Sequence, residues 1–296
     1  MLKINFLMKK IAWNGISLKI PTPWEIDSLQ ADHLIIGKNS SPEIEIKWTD
    51  APGQFTLEKY LKKFIAKSQK LLHIKIHELS TPLSFKHPVK TFEFFFFSWE
   101  SASSKGNGTL IFCTLCKRLT MIRFFSDSQI ISPSLPHSIL TSYLDHPMAD
   151  QADWQLFGLD FSAPKRFKLI EYSFKPGYYT LILKHEKTTL TVFSWGPASF
   201  LLSTSGLSEF ATQRLPGLKG FATAGHCPRG SYLEWSFRQG RFKNAEILPV
   251  FNRYEIFTIF RICHDTHQNR IFGIQVVSPV KFETNLISRS MIGDGE

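Results

Sequence analysis

The chain has 296 residues, of which 43% are hydrophobic, and its 35 Lys and Arg against 25 Asp and Glu give a formal net charge of +10. This length suits two domains, and the charge favours acidic partners. Four cysteines are too few to staple a chain of this size with disulfides, and no apolar run approaches the roughly 20 residues of a membrane-spanning helix. We therefore expect a cytoplasmic protein with reduced thiols and no membrane span.

The first half of the chain begins with strand patterns and then changes to a helical period. Ile16, Leu18 and Ile20 alternate with polar residues, which predicts a strand with one buried face. Apolar residues recur every three or four positions between Leu57 and Leu72, which predicts a helix. Further strands are predicted at 33–36, 43–48, 74–79, 91–99, 109–116 and 119–125.

A polar segment separates this half from the next. Residues 127–153 are rich in Ser, Pro, His and Asp, which predicts a linker between a first domain at 1–126 and a second at 154–296. The second half repeats the order of elements. Its predicted strands lie at 158–162, 179–184, 188–195, 231–238, 255–263 and 270–277, and its predicted helix lies at 200–215.

Shared spacings favour a tandem duplication of one domain. In the first half a Trp precedes Gly15, a Pro follows that glycine by six residues, and an aromatic residue follows the Pro by three. The second half has the same spacing from Gly158. We expect Trp13 and Trp154 to occupy equivalent core positions, and we expect the last turn of the second copy, at 264–269, to be longer than its counterpart.

The order of strands, hairpin, helix and further antiparallel strands predicts an α+β fold of two similar tandem domains, each an antiparallel sheet packed with one main helix. The segment Gly15-Ile-Ser-Leu-Lys-Ile-Pro-Thr-Pro-Trp24 resembles the opening of domains of the Mog1/PsbP-like class. The resemblance covers about the first 50 residues of each half, and the rest only by element order. It implies a sandwich that serves as a binding or assembly module, and no catalytic residues carry over.

Two groups of cysteines and histidines are candidates for a metal site. Cys113 and Cys116 form a C-x-x-C pair, but their segment has the pattern of a strand, in which residues three apart point to opposite faces. We therefore expect two structural cysteines there, with no disulfide. Cys263, His264 and His267 are the better candidates for zinc, because a hairpin tip can bring their side chains together.

The predicted helix carries a basic stripe opposite its apolar side. Lys59, Lys63, Lys67 and Lys70 are candidate binding residues, together with Arg229 in a glycine-containing loop of the second half. A solvated polar face is the alternative interpretation, since lysine stems cover apolar surface while their ammonium groups stay in water. The stripe contains no Arg, which makes nucleic acid an unlikely ligand.

The sequence contains no phosphate-binding glycine loop, nucleophile elbow or His-Glu-x-x-His motif, and we therefore expect no enzyme activity. The expected function is binding or assembly through the surface of a duplicated domain, with a protein partner that the charge favours as acidic. The alternatives are a metal- or thiol-dependent module that uses the Cys/His hairpin tip of the second domain, and weak nucleic-acid binding through the lysine-rich helix.

Overall fold

The computed structural model describes residues 7–82, 85–125, 134–146, 150–215, 217–218, 220–227, 230–242 and 253–281. The chain divides into two compact units, Met1–His146 and Pro147–Glu296. Strand accounts for 56% of the described residues and helix for 15%. Both units are therefore built mainly from antiparallel β-structure.

The first unit combines a hairpin with a seven-stranded sheet. Its described elements are β1 (Met8–Trp13), β2 (Ile16–Pro21), β3 (Glu25–Leu29), β4 (His33–Lys38), β5 (Ser41–Asp50), α1 (Leu57–Leu72), β6 (Lys75–Leu79), β7 (Phe92–Glu100), β8 (Lys105–Cys113), β9 (Arg118–Phe125) and α2 (Ser134–Thr141). Strands β1 and β2 form the hairpin. The sheet has the order β3-β4-β5-β9-β8-β7-β6.

The second unit has the same plan. Its described elements are β10 (Gln151–Leu156), β11 (Leu159–Pro164), β12 (Lys168–Lys175), β13 (Tyr178–His185), β14 (Thr188–Trp195), α3 (Ala198–Leu201), α4 (Leu207–Arg214), β15 (Thr223–Cys227), β16 (Gly230–Phe242), β17 (Arg253–Asp265) and β18 (Arg270–Ser278). Strands β10 and β11 form a hairpin, and the sheet has the order β12-β13-β14-β18-β17-β16-β15. Position by position, this order matches that of the first unit.

The predicted α+β class, with one main helix in each domain, is wrong, because sheets dominate both units. The helix predicted at 200–215 is two short helices, α3 and α4. They are separated by a Ser-Thr-Ser-Gly run, whose residues have low helix propensity. Strands β1, β3, β10, β12 and β15 were not predicted, since their sequences lack a strict alternation of apolar and polar residues.

The helix predicted at 57–72 is confirmed, and it is α1. Tyr60, Leu61 and Phe64 pack on a cluster of sheet residues that includes Phe97 and Trp99. The helix ends at His73, whose left-handed φ of 51° stops the helical path. The apolar residues of the predicted helix that lie between 57 and 65 face the sheet. Leu71, near the end of the helix, is 60% exposed.

The run of four phenylalanines at 94–97 lies in β7, a strand that is covered on both faces. Phe95 and Phe97 face α1. Phe94 and Phe96 point the other way, and both pack against the ring of Phe85. Continuous apolar sequence is the expected pattern for a strand with two covered faces.

The last part of the first unit lies in the interval predicted as the linker. Helix α2 contacts β2, and Ile139 and Tyr143 are fully buried. The backbone of Leu144 then pairs with Ser17 of β2 through hydrogen bonds of 2.7 and 2.8 Å. This pairing fixes the chain just before Asp145 and His146.

The two hairpins that open the units are related through their glycines. Gly15 and Gly158 each follow a residue with positive φ in a two-residue turn, and their own φ values are 89° and 80°. Trp13 directly precedes its turn, whereas Leu156 holds that position in β10. The predicted equivalence of Trp13 and Trp154 is therefore wrong by two residues, although both side chains are buried.

The last turns of the two sheets have the same length. Four residues separate Cys113 from Arg118, and four separate Asp265 from Arg270. The fourth turn residue has positive φ in both units. The prediction of a longer turn in the second copy is wrong, because β17 continues two residues beyond its predicted end.

Glu45 is a buried carboxylate at the centre of an ionic cluster on β5. Its oxygens lie 2.8 Å from Lys47 Nζ and 3.0 Å from His33 Nε2, and they also accept hydrogen bonds from Arg123. Burial raises the pKa of Glu45, but the hydrogen bonds and charges of Lys47 and Arg123 outweigh burial and leave the pKa below its ordinary value.

We predict that Glu45→Gln lowers the free energy of unfolding by about 1–3 kcal/mol at pH 7, because Arg123 and Lys47 lose a charged acceptor. A carboxyl whose pKa is lowered by folding stabilises the protein above its unfolded pKa of about 4.3, and this contribution disappears as pH falls through the folded pKa. Urea unfolding of wild type and variant from pH 7 to pH 3 should show the difference shrinking with acid. Glu43→Gln is the control, since Glu43 is also buried but its Oε2 makes no hydrogen bond in the described structure; equal losses would contradict the prediction.

Candidate functional site

The solvent side of α1 forms a basic surface, which we call the outer face of α1. Every residue of this face is exposed. It consists of Lys59, Lys62, Lys63, Ala66, Lys67 and Lys70, and the exposed Leu71 borders it at the C-terminal end of the helix. Lys62 forms an ion pair of 3.1 Å with Glu58, one turn earlier. No ion pair is found for the other four lysines within the described residues.

This arrangement has an electrostatic cost. Lys59, Lys63 and Lys67 follow one another at four-residue spacing, where like charges repel. Lys70 lies in the last turn, where a positive charge stabilises the helix dipole. Three of the predicted binding residues are thus not explained by helix stability. Arg229, the fifth of them, lies outside the described residues.

A second candidate site is a cluster of four side chains in the first unit, which we call the Cys/Asp/His cluster. It consists of Cys113, Cys116, Asp145 and His146, whose ligand atoms all lie within 4.8 Å of one another. Cys113 Sγ is 3.6 Å from His146 Nδ1, and Cys116 Sγ is 3.2 Å from Asp145 Oδ2. Thiolate, imidazole and carboxylate are groups that bind transition metals.

The turn between β8 and β9 brings the two cysteines together. Strand β8 ends at Cys113, so Cys116 lies in the turn and not in a strand. The backbone N–H of Cys116 points at Cys113 Sγ over 3.5 Å. The assumption that these side chains point to opposite faces of a strand is therefore wrong, because the predicted strand was three residues too long.

The other two members of the cluster follow α2. Pairing of Leu144 with Ser17 places Asp145 and His146 beside the turn, and Arg118 Nη1 donates a hydrogen bond of 3.0 Å to the backbone oxygen of Asp145. The His146 ring packs edge-on against Phe92, which pairs with Cys113 across β7 and β8. All these contacts are within the first unit.

Asp145 is the buried carboxylate of the cluster. Its side chain is 1% exposed, and its Oδ1 lies 2.5 Å from His146 Nδ1. Cys116 is an exposed residue, but its thiol donates to the Asp145 carboxylate. Although the residue as a whole is exposed, its thiol is partly buried against Asp145; this desolvation, followed by the negative charge of Asp145, raises the pKa of Cys116 to about 12. Without a metal, Cys116 is therefore a thiol at neutral pH.

The zinc ligands predicted in the second half are placed differently. Cys263 and His264 are consecutive residues of β17, and so their side chains point to opposite faces. Cys263 is buried, whereas His267 is exposed in the following turn. The structure does not bring these three side chains into a ligand cluster within the described residues.

Sequence reasoning missed Asp145 and His146 altogether. Both lie in a segment without hydrophobic periodicity that was predicted to be a linker. The available signal was the adjacent Asp-His pair, directly after the apolar patch at 139–144 and in the same half as a C-x-x-C pair.

Comparison with known proteins gives little guidance. No family model and no curated protein matches the chain. Among solved structures, the apo form of the immunity protein TplEi of the T6SS from Pseudomonas aeruginosa matches with 10% identity and a TM-score of 0.27, over 94% of this chain and 92% of that chain. This likeness is too small to inform fold or function, and nothing in the comparisons supports the Mog1/PsbP-like resemblance. Within the described residues, no helix has the length and apolar character needed to cross a membrane.

We predict that Asp145→Asn raises the rate at which iodoacetamide alkylates Cys116 by about 10-fold at pH 8 in chelator-treated protein. Thiolate is the reactive form, and removal of one neighbouring negative charge lowers a thiol pKa by about one pH unit or more. Peptide mass spectrometry at timed intervals would measure the rate at Cys116. Asp150→Asn, which removes an exposed carboxylate paired with Lys165, is the control and should leave the rate unchanged. Equal alkylation rates in wild type and Asp145→Asn would contradict the conclusion that Asp145 raises the pKa of Cys116.

Proposed function

We propose that this chain is a non-enzymatic binding protein and that the outer face of α1 receives an acidic segment of a protein partner. The density of exposed positive charge on one helix carries the proposal, since five of the nine exposed residues between 57 and 71 are lysines and one is a glutamate. Glu58 pairs with Lys62 and leaves the remaining lysines for a partner. Repulsion between them lowers helix stability, and an acidic partner would turn that cost into binding energy.

The apolar end of the face supports a protein ligand. Leu71 follows Lys67 by four residues and is 60% exposed, so it continues the row of lysines with an apolar contact point. A buried apolar contact flanked by charges is typical of protein interfaces, in which the charges guide association and the apolar residue contributes affinity. We therefore propose that the partner segment carries carboxylates along one face and an apolar side chain at one end.

Other acidic surfaces fit this face less well. Lysines can neutralise phosphates, but arginine forks and aromatic stacking supply the directed contacts of nucleic-acid recognition, and the outer face of α1 contains neither group. A membrane-surface helix inserts its apolar side into lipid, whereas the apolar side of α1 packs on the sheet.

A second candidate function is a metal-dependent module, which was the alternative predicted from the sequence. The Cys/Asp/His cluster favours it, although in the first unit instead of the predicted hairpin tip of the second.

We predict that the full chain binds a fluorescent helical peptide that carries Glu at every fourth position and Leu at one end. The triple variant Lys59→Glu, Lys63→Glu, Lys67→Glu should weaken binding by about 10-fold or more, because attraction becomes repulsion. Leu71→Ser should weaken binding with little effect on its salt dependence. Fluorescence anisotropy at several salt concentrations would measure both effects.

The matched control is Lys168→Glu, Lys175→Glu, Lys184→Glu, which makes the same change in net charge at exposed positions of the second unit. Equal weakening by the two triple variants would show that net charge alone attracts the peptide and would reject the assigned face. Stronger binding of duplex DNA than of the peptide, lost in the α1 variant, would favour the nucleic-acid alternative.

A further inference from the structure

We propose that the Cys/Asp/His cluster binds one Zn²⁺ ion, with Cys113, Cys116, Asp145 and His146 as its four ligands. The site joins the turn between β8 and β9 to the segment that follows α2. It is independent of the outer face of α1, because the two sites share no residue.

The donor set selects the class of metal. Two sulfur ligands disfavour Mg²⁺ and Ca²⁺, which take oxygen ligands, and a mixed set of thiolate, imidazole and carboxylate suits Zn²⁺. Four protein ligands complete a tetrahedral shell and leave no open position for water or substrate. The site is therefore structural and not catalytic.

The distances between donors suit an ion of this size. Zinc bonds of about 2.3 Å to sulfur and about 2.0–2.1 Å to nitrogen place those two atoms about 3.5 Å apart at a tetrahedral angle. Cys113 Sγ and His146 Nδ1 are 3.6 Å apart. Cys116 Sγ and Asp145 Oδ2, at 3.2 Å, are slightly closer. The contact of 2.5 Å between Asp145 Oδ1 and His146 Nδ1 would have to open for the ion to enter, and the ion would replace the hydrogen bonds that now join these groups.

The second unit shows what the same turn needs for its own stability. Asp265 and Gln268 hold the positions of Cys113 and Cys116, and the N–H of Gln268 donates a hydrogen bond of 3.0 Å to Asp265 Oδ1. In this turn of the second unit a carboxylate oxygen accepts the backbone hydrogen bond that the Cys113 sulfur accepts in the first unit. Because turn geometry does not require cysteine at either position, the two cysteines of the first unit point to a ligand.

The groups around the cluster suit a bound ion. Two thiolates and a carboxylate around Zn²⁺ leave one net negative charge, and the Arg118 guanidinium supplies a positive charge next to Asp145. Thr91 Oγ1 lies 3.9 Å from Cys113 Sγ, and the Cys116 N–H also points at this sulfur. Such outer contacts hold metal ligands in place.

The ion would cross-link two distant parts of the first unit. Cys113 ends β8 and Cys116 lies in the turn between β8 and β9, whereas Asp145 and His146 end the segment that covers one face of the sheet. Metal bound only by the folded chain adds to its stability. Zinc would therefore hold α2 and the buried Tyr143 against the sheet.

The test uses the full chain without a histidine tag, expressed with added zinc. Elemental analysis of the purified protein should give one zinc per chain. Cys116→Ser and His146→Asn should each weaken zinc binding by about 100-fold or more, measured by competition with a chromogenic chelator. His267→Asn, an exposed histidine in the equivalent turn of the second unit, is the matched control and should keep the zinc.

Cobalt gives a second measurement that does not depend on folding of the variants. Wild-type protein stripped of zinc and titrated with Co²⁺ should show thiolate-to-cobalt charge-transfer absorption and the visible bands of a tetrahedral site. Absence of these bands, or of zinc in the wild-type chain, would overturn the proposal. Retention of zinc by both ligand variants, or its loss in His267→Asn, would also overturn it. None of these outcomes bears on peptide binding at the outer face of α1, so the two proposals can fail separately.

Discussion

The structure of the first unit depends on the need to cover both faces of one sheet. Strand β7 presents Phe95 and Phe97 to one side and Phe94 and Phe96 to the other, and neither pair of rings can be left in water without a large loss of hydrophobic free energy. Helix α1 covers the first side. Phe85, α2 and the buried Tyr143 cover the second. The elements that cover each face also position one of the two candidate sites.

The positions of the two candidate sites follow from how α1 and the α2 segment pack on the sheet. A helix that packs through one face must expose the opposite one, and α1 has its lysines on that exposed face. The second cover ends at Asp145 and His146, because the pairing of Leu144 with Ser17 directs the chain to the end of β8. Divergence after a duplication would then explain why, among the described residues, each site is found in one unit. The sheet order is common to both, whereas the helical cover and the residues of the last turn differ.

The sequence predicted the elements whose periodicity is unbroken and failed where a turn decides the structure. Helix α1 was predicted with its observed bounds because its apolar residues keep a helical spacing over 16 residues. The end of β8 was missed because apolar residues continue past Cys113 into the turn, at Leu115 and Cys116, and because Lys117, which adopts φ of 60°, is not a residue type that signals a left-handed turn. That error of three residues separated the cysteines in the prediction. Asp145 was missed because its position depends on a long-range contact with β2.

The two sites lie on opposite faces of one sheet, and this limits how they can influence each other. Cys113 pairs with Phe92, whose neighbours Phe94 and Phe96 face away from α1. A zinc ion in the Cys/Asp/His cluster can change the affinity of the outer face of α1 for a partner only under one condition. That face must have two conformational states, and the chain must bind zinc with different affinity in each. The helix is held by the rings on the other side of β7, and within the described residues no ring contact joins these rings to a member of the cluster. Zinc would therefore act on partner binding through the stability of the whole unit: its loss would lower the fraction of folded protein, and the affinity of each folded molecule would stay the same.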